Sequence, residues 1–501
     1  MIPILQAKSG IPVPAPRSTR HTGGWGASVA PEREAKGGSR APRQHFWILL
    51  AGVLLPIAPL FSARGEDAGS HLLSLSVEEL GAVKVDTVFA ASKFTEKVTN
   101  APSSVTIVTR DEVSRFSYRT LDDVVRSVRS FDITYDREYS YTSARGYNRL
   151  SDYGARTLLL VDGHRMNDSL YDYKKIGLYP TSGGPPLTNN DSLHQYWWDA
   201  EASVGREFQS LDAYRFTMGT ELYRSMQLRL RDYDEVALLV FADANFSQQV
   251  AGAYVDTHTQ FTKQLGLAAG VRFDYYDTFG DTLNRRFGLI CKPWDRTTIK
   301  LLYGQAFRAP DAQESKFDLQ PETIRTYELV AERYLGRHGR ASASLFGNSI
   351  SDFLDYLDES SALENSGKAR VRGGEVKIAG KSDGGWLFQA SYSRQLAIES
   401  DTGVGLINSP DDLAKMQVGI PLYRNKLNAN IEGLFVGDRQ TLLRRKSGLT
   451  YLLNATLFTR KVVPNVEFSA SIYTCSTATI ACRAASGICK TASSRTDAPF
   501  G

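Results

Sequence analysis

Long apolar runs are scarce in this 501-residue chain: the longest, Phe46 to Phe61, spans 16 residues, and the mean hydropathy is -0.28 with 42% apolar residues. A helix needs about 20 such residues to cross a bilayer, so a bundle of membrane helices is excluded. Charge of one sign is lacking too. Lys and Arg total 59 against 55 Asp and Glu, a net +4 spread without a dense basic face, which excludes a nucleic-acid partner. Cysteines number four and histidines seven, and no two histidines fall at metal-ligand spacing. No phosphate loop, dinucleotide fingerprint or Gly-x-Ser-x-Gly elbow occurs. The sequence therefore predicts no enzyme, no catalytic residue and no cofactor. Cys475, Cys482 and Cys489 recur near the carboxyl end, but a zinc site pairs ligands at roughly two to four residues and needs four of them, so no metal is predicted. Cys291 sits alone in a predicted strand, where a small buried hydrophobe is the ordinary role.

What the chain has is aromatic residues and glycine: 24 Tyr, 23 Phe, 6 Trp and 41 Gly. That mixture favours strands with amphipathic rings. Residues 1–45 are rich in Gly, Pro, Ser and Arg without apolar periodicity, and are expected to be disordered. Residues 46–63 have the charge order of a signal peptide, with Arg40 and Arg43 ahead and Ser62-Ala63 behind. Their position predicts a start codon placed too early and a chain that is exported. Residues 64–100 form an extended region. Within 101–172, Ser104 to Val108 reads as a strand, and Thr109 with Glu112 and Thr120 with Asp123 form capping boxes that open two short helices. Phe131 to Tyr135 alternates like a strand, and Thr157 to Val161 runs into the turn dipeptide Asp162-Gly163. This is a small α+β unit.

After a linker at 173–195, residues 196–473 fall into short segments that alternate apolar and polar between Asp, Gly, Asn and Pro clusters. Ten stand out: 216–223, 266–275, 298–303, 326–334, 341–346, 386–392, 415–422, 428–434, 452–458 and 468–473. Alternation at that length suits strands with one face toward lipid and one toward a polar lumen, although a soluble sandwich core alternates similarly. Tyr275, Tyr276, Tyr303, Tyr334, Trp386, Tyr392 and Tyr423 would suit aromatic girdles at the two interfaces. The acidic residues read as solvated loop and lumen charges. Residues 474–501 lose the alternation and resemble frameshifted translation.

Four ordered blocks of the α+β unit resemble the plug domain of TonB-dependent outer-membrane receptors. They are Ala101 to Glu112, Arg119 to Val128, Arg145-Gly146-Tyr147, and Leu158 to Asp168, the last carrying Asp162, Gly163, Arg165, Asn167 and Asp168. Phe307-Arg308-Ala309-Pro310 and Leu319 to Leu329, with Pro321 and Glu322, are similar to barrel blocks of the same family. Val85-Asp86-Thr87-Val88-Phe89 resembles its TonB box, and reads equally as an ordinary first strand or linker of the plug.

The resemblance implies a membrane β-barrel with the α+β plug inside its lumen, in the outer membrane of a Gram-negative-type cell. It implies a TonB energy-coupling partner, outer-membrane lipid around the barrel, a monomer, and a scarce ligand such as a ferric siderophore or cobalamin. Haem is disfavoured, because no His follows Pro310 before Leu319. The second half of the family's plug is missing after Asp172, and the length supports roughly 14 to 16 strands against the 22 of large plugged transporters. The final strand is missing too. Three readings follow: an energised receptor, a surface binding protein without energy coupling, and a degraded receptor remnant that does not transport.

Overall fold

The computed structural model describes residues 4–7, 87–89, 95–135, 140–147, 156–161, 164–165, 167, 189–208, 214–234, 240–310, 314, 319–356, 363–365, 367–423, 426–441, 445–463 and 466–475. The chain divides into two units, Met1–Lys8 with Lys84–Gly501, and Ser9–Val83. The second unit, and with it the expected signal peptide, lies outside the described residues. So does the tail beyond Cys475.

The α+β segment forms from local signals. Strand β1 (Ile4–Ala7) pairs in parallel with β6, residues Leu158–Val161, although it falls within the stretch expected to be disordered. Its Ile and Leu supply β-formers that the surrounding Gly, Pro and Arg obscure. Strands β2 (Thr87–Phe89) and β3 (Thr95–Lys97) form an antiparallel pair. Helices α1 (Arg110–Arg115) and α2 (Leu121–Ser127) start where the sequence places them. The Thr109 and Thr120 hydroxyls accept from the Glu112 and Asp123 amides, and both carboxylates bond back to the capping residues' N–H groups. Strands β4 (Phe131–Tyr135) and β5 (Ser140–Ala144) pair, as do β6 (Leu158–Val161) and β7 (His164–Arg165). Ser104 to Val108 joins no strand ladder among the described residues. Its β-branched side chains have no neighbouring strand to pair with, and propensity alone does not make a ladder.

A single antiparallel sheet takes the rest of the described chain. Its strands are β8 (Asn189–Phe208), β9 (Tyr214–Asp234), β10 (Val240–Gln260), β11 (Leu265–Tyr276), β12 (Gly280–Cys291), β13 (Thr297–Arg308), β14 (Glu322–Leu335) and β15 (Gly339–Ser351). A small hairpin, β16 (Leu354–Tyr356) with β17 (Leu363–Asn365), stands in the following loop. The sheet resumes with β18 (Lys368–Lys381), β19 (Leu387–Glu399), β20 (Asp412–Tyr423), β21 (Leu427–Val436), β22 (Thr450–Val463) and β23 (Val466–Cys475). Fourteen strands pair in chain order, with β8 and β23 at the two edges. The ten segments chosen from alternation fall on ten of these strands, one of them starting a residue ahead of its strand at Trp386.

Strand β8 starts inside the stretch expected to be linker. Its first half, Asn189 to Gln195, is polar on both faces, so apolar alternation gives no sign of it. Strands β8, β9 and β10 continue about ten residues past the point where β11 ends against Val250. Loops at one end are long, 309–321, 352–367, 400–411 and 437–449, while turns at the other are short, such as 336–338 and 424–426.

Burial across the sheet is inverted relative to a water-soluble protein. On β14 the side chains of Thr326, Glu328 and Glu332 are buried while Tyr327 and Leu329 are exposed. Leu345 is 64% exposed, whereas Lys300 is 0% and Glu375 3% exposed. A sandwich in water buries its apolar face, and this sheet turns that face outward, as a wall against hydrocarbon does. Tyr276 departs from the expected girdle. It neighbours Tyr275, so the two point to opposite faces, and Tyr276 packs inward on Phe279 and Phe307 at ring distances of 4.5 and 5.6 Å.

An exposed Leu on a soluble protein tolerates Arg within about 0.5 kcal/mol. Leu345→Arg is expected instead to cost roughly 2–4 kcal/mol, the value for a lipid-facing site near the midplane. Urea unfolding of the protein reconstituted in phospholipid vesicles measures the difference.

Candidate functional site

The inner, polar face of the sheet is met along its height by the α+β segment, through ion pairs and hydrogen bonds. Glu375 on β18 lies at the centre. Its carboxylate takes Arg129 Nε at 3.3 Å and Arg145 Nη2 at 3.1 Å, and accepts from the hydroxyls of Ser344, at 2.8 Å, and Ser130. Arg145 also bonds to both carboxylate oxygens of Glu328 on β14, at 2.5 and 3.2 Å, and lies 4.3 Å over the Phe346 ring. Two carboxylates thus meet two guanidinium groups. Burial works against the charge on Arg145, but Glu328 and Glu375 together raise its pKa. Removing any one member would leave a buried charge unpaired.

The backbone is bent to deliver these groups. Ser130 and Arg145 flank the β4–β5 pair, and both sit in the left-handed region, at φ 60 and 53, joined by an N–H to carbonyl bond of 2.8 Å. That conformation costs a non-glycine residue of order 1–3 kcal/mol and persists where surroundings over-determine it. Gly146 follows at φ +80, where a Cβ would stand 2.6 Å from the Ser409 hydroxyl. Only glycine suits both the angle and the space.

Toward the long-loop end, Arg156 bonds Glu322 at 2.7 and 3.0 Å, and Glu322 also takes Arg308 at 3.1 Å. Arg308 in turn bonds Glu314 at 2.8 and 3.1 Å. Asp132 pairs with Arg439 at 3.1 Å.

Toward the short-turn end, Lys415 Nζ donates to the carbonyls of Arg126, Val128 and Phe131, each at 2.5 Å. The Tyr118 hydroxyl donates to Glu432 at 2.6 Å, and Asp111 takes Lys381 at 2.8 Å. Burial raises the Asp111 pKa, but Lys381 and Arg115 outweigh it and the net shift is downward. Stability from this tether is therefore present above the unfolded carboxylate range and lost as pH falls through the lowered folded value.

The extended stretch ahead of α1 is held as well. Lys300 donates to the carbonyls of Val98 and Ser103 at 2.9 and 3.1 Å, Lys292 to Asn100 at 2.7 Å, and His258 lies 3.3 Å from Glu96. Each of these contacts involves a Lys ammonium or a carboxylate, and hydrogen bonds of that kind contribute about 1.5–3 kcal/mol net.

Of the residues chosen from sequence, Arg145 and Gly146 stand in the central cluster, and Arg308 and Glu322 face each other across β13 and β14. Phe307 packs on Tyr276, Ala309 and Pro310 leave the strand end, and Pro321 precedes β14. Asn167 closes the β6–β7 turn through the Thr157 carbonyl and the Leu159 amide, both 2.8 Å, and Arg165 is exposed. Asp162, Gly163 and Asp168 lie outside the described residues, as do Val85 and Asp86. Thr87, Val88 and Phe89 form β2 and already pair with Thr95 to Lys97.

Arg129, Arg156, Glu328 and Glu375 were not singled out. Glu328 and Glu375 are lumen charges as expected, but buried and paired rather than solvated. Their place on inward positions of alternating strands is the one sign the sequence offers. Among the described residues no cluster of His, Cys, Asp or Glu could hold a metal ion, and no helix is long and apolar enough to cross a membrane.

A family model described as TonB dependent receptor-like, beta-barrel matches residues 87–461. Among solved structures, an FpvAI–pyocin S2 complex superposes with a TM-score of 0.62 at 12% identity, covering 77% of this chain and 85% of that one. The ferripyoverdine receptor of the Pseudomonas aeruginosa outer membrane gives 0.50 at 15%, covering 60% and 47%. The ferric-catecholate import receptor Fiu of Escherichia coli K12 gives 0.48 at 15%, covering 56% and 50%, so the chain spans half that structure's length. No curated protein matches in sequence.

Glu375→Ala strands Arg129 without its counter-charge while Arg145 keeps Glu328, and is expected to cost roughly 3–5 kcal/mol. The double change Arg129→Met with Glu375→Met, which leaves the Arg145–Glu328 pair intact, should restore part of the loss. Both effects are read from the urea midpoint of the folded, heat-sensitive band on gels.

Proposed function

We proceed from a chain that belongs to the TonB-dependent receptor family, and we propose that it is an outer-membrane receptor whose lumen is closed by the α+β segment acting as a plug. The supporting observation is the pairing of a polar, ion-paired segment with a sheet whose apolar face points outward. Short turns then face the periplasm and long loops the exterior. The signal peptide at 46–63 carries the chain across the inner membrane.

In this reading a scarce ligand, a ferric siderophore or cobalamin, binds from the long-loop side. The inner-membrane TonB protein pulls on Val85 to Phe89, and the force reaches the plug through the held stretch Thr95 to Ser103. Lys300, Lys292 and His258 resist first, and the Glu375 cluster after them. Each broken contact is taken over by water, so a path opens without covalent chemistry. The protein works as a monomer.

A second reading, a surface binding protein without energy coupling, draws on the pairing of β2 with β3, which already occupies one edge of the coupling strand. Val88→Pro separates the two, because Pro removes a donor from any strand that pairs there. In energised cells offered radiolabelled ferric siderophores and cobalamin in turn, the substitution should lower accumulation to the de-energised level while surface binding persists. Accumulation unaffected by Val88→Pro would reject the coupling role.

A further inference from the structure

The outward face of the sheet carries Leu301, Leu329, Leu345 and Leu396, all 44–64% exposed. Near the long-loop end of β14 and β18 three arginines interrupt it. Burial alternates along β14, β15 and β18 so that Glu328, Phe346 and Glu375 point inward and the residues between them outward. Arg325, Arg370 and Arg372 belong to the outward set and are exposed. Each falls within the first five residues of its strand, and both strands start at the long-loop end. We propose that these arginines form an outward-facing site for the phosphate of an anionic lipid in the outer leaflet, whose acyl chains lie on the leucines beneath. This rests on the membrane reading above.

Strand register brings the three together. Arg325 stands opposite Ser349 and Ser349 opposite Arg370, while Tyr327, Gly347 and Arg372 form the next outward row. Strands two apart are separated by roughly 10 Å and alternate residues of one strand by about 7 Å, so side chains as long as arginine can meet over β15. Small residues leave room for what they meet. Ser349 and Gly347 floor a trough between the two flanking strands, and a Cβ at Gly347 would touch nothing within 4 Å.

The positive charge there is unmatched. Among the described residues none of the three arginines has a hydrogen-bonded or ion-paired partner. Arg394, outward on neighbouring β19, does have one: Asp412 at 3.6 Å, which also accepts from the Tyr392 hydroxyl at 2.5 Å. A guanidinium cannot shed its proton, and on a wall that meets hydrocarbon it needs a counter-charge. Phosphate supplies one with oxygens spaced to fit the guanidinium fork.

The surroundings select a lipid over a free anion. Tyr327, 62% exposed, lies 5.1 Å from the Tyr303 ring, and such aromatic pairs sit where headgroups meet acyl chains. Arg372 shares the row of this pair, Arg325 and Arg370 take the next row toward the long loops, and the leucines lie on the other side. A free anion would use the charges alone. A lipid uses charges, tyrosines and leucines together, and an acidic protein segment would have to reach them through the headgroup layer.

Dioleoyl phosphatidic acid combines an exposed phosphate with acyl chains and serves as the probe. Its radiolabelled form is titrated onto the full chain extracted from the outer-membrane fraction in a neutral maltoside, and the heat-sensitive band on gels reports that each variant is folded. The wild type should retain it in preference to dioleoyl phosphatidylcholine, whose phosphate carries a choline. Arg325→Gln, Arg370→Gln and Arg372→Gln combined should weaken retention roughly tenfold or more, and each alone should give a smaller loss. Arg394→Gln should leave retention unchanged. Gly347→Leu fills the trough and should weaken retention with all three arginines in place. Equal retention of the phosphatidylcholine, or unchanged retention in the folded arginine variants, overturns the proposal. Displacement of the lipid by equimolar inorganic phosphate or polyglutamate also overturns it, in favour of a plain anion site or an acidic protein partner. Absence of the wild type from the outer-membrane fraction overturns the membrane reading and this proposal with it, whereas a chain present there without lipid preference overturns this proposal alone.

Discussion

Glu375 cannot stand alone. A carboxylate at this depth is tolerated because Arg129 and Arg145 reach it from the segment and two hydroxyls fill its remaining acceptor sites. Much of the surrounding geometry follows from that requirement. Arg145 arrives only if the chain turns through the left-handed region at Ser130 and Arg145, and Gly146 must then slip past Ser409 and Gln395. The β4–β5 pair fixes the spacing between the two bends, and Glu328 balances the second guanidinium. Apolar packing plays a smaller part. The buried hydrophobic cluster around Tyr147, Phe346, Ile350 and Val371 sits beside the ion cluster and shields it from water, which strengthens every charge pair inside.

The choice of ions over hydrocarbon at this joint has a physical logic. An apolar interface inside a barrel would be sealed by the hydrophobic effect, and parting it would expose its whole area to lumen water. Ion pairs and hydrogen bonds part with a smaller net change, because water replaces what is lost. Lys415 illustrates the economy: one ammonium holds three carbonyls at the end of α2 and the start of β4, fixing a turn that no apolar contact fixes.

Local signals were legible in the sequence, and long-range ones were not. Both capping boxes formed, because a Thr and an acid three residues apart carry the whole interaction within one turn. Alternation marked ten of the fourteen strands of the sheet and passed over β8, β10, β12 and β18. It gave no sign of the first half of β8, whose sequence is polar at alternate positions of both sets, and which pairs along its whole length with β9. Ser104 to Val108 erred in the other direction, being strand-like in composition but without a neighbour. The pairs at the joint were illegible for a different cause: Arg129 and Glu375 are 246 residues apart, and nothing near either one records the other. Arg308 and Glu322 came closer to being readable, since each was picked as part of a motif and one hairpin makes them partners.

Strands β8, β9 and β10 keep climbing after β11 has turned back. Ten residues of strand rise about 33 Å, which is as tall as the hydrocarbon layer itself is thick. The three form a blade on one side of the rim, with Arg229, Arg231 and Asp243 sharing charge across its face. Among the described residues, the sheet is thus taller at β8, β9 and β10 than at β11. On the receptor reading proposed above, a large molecule approaching from the long-loop side would meet this blade before the shorter strands.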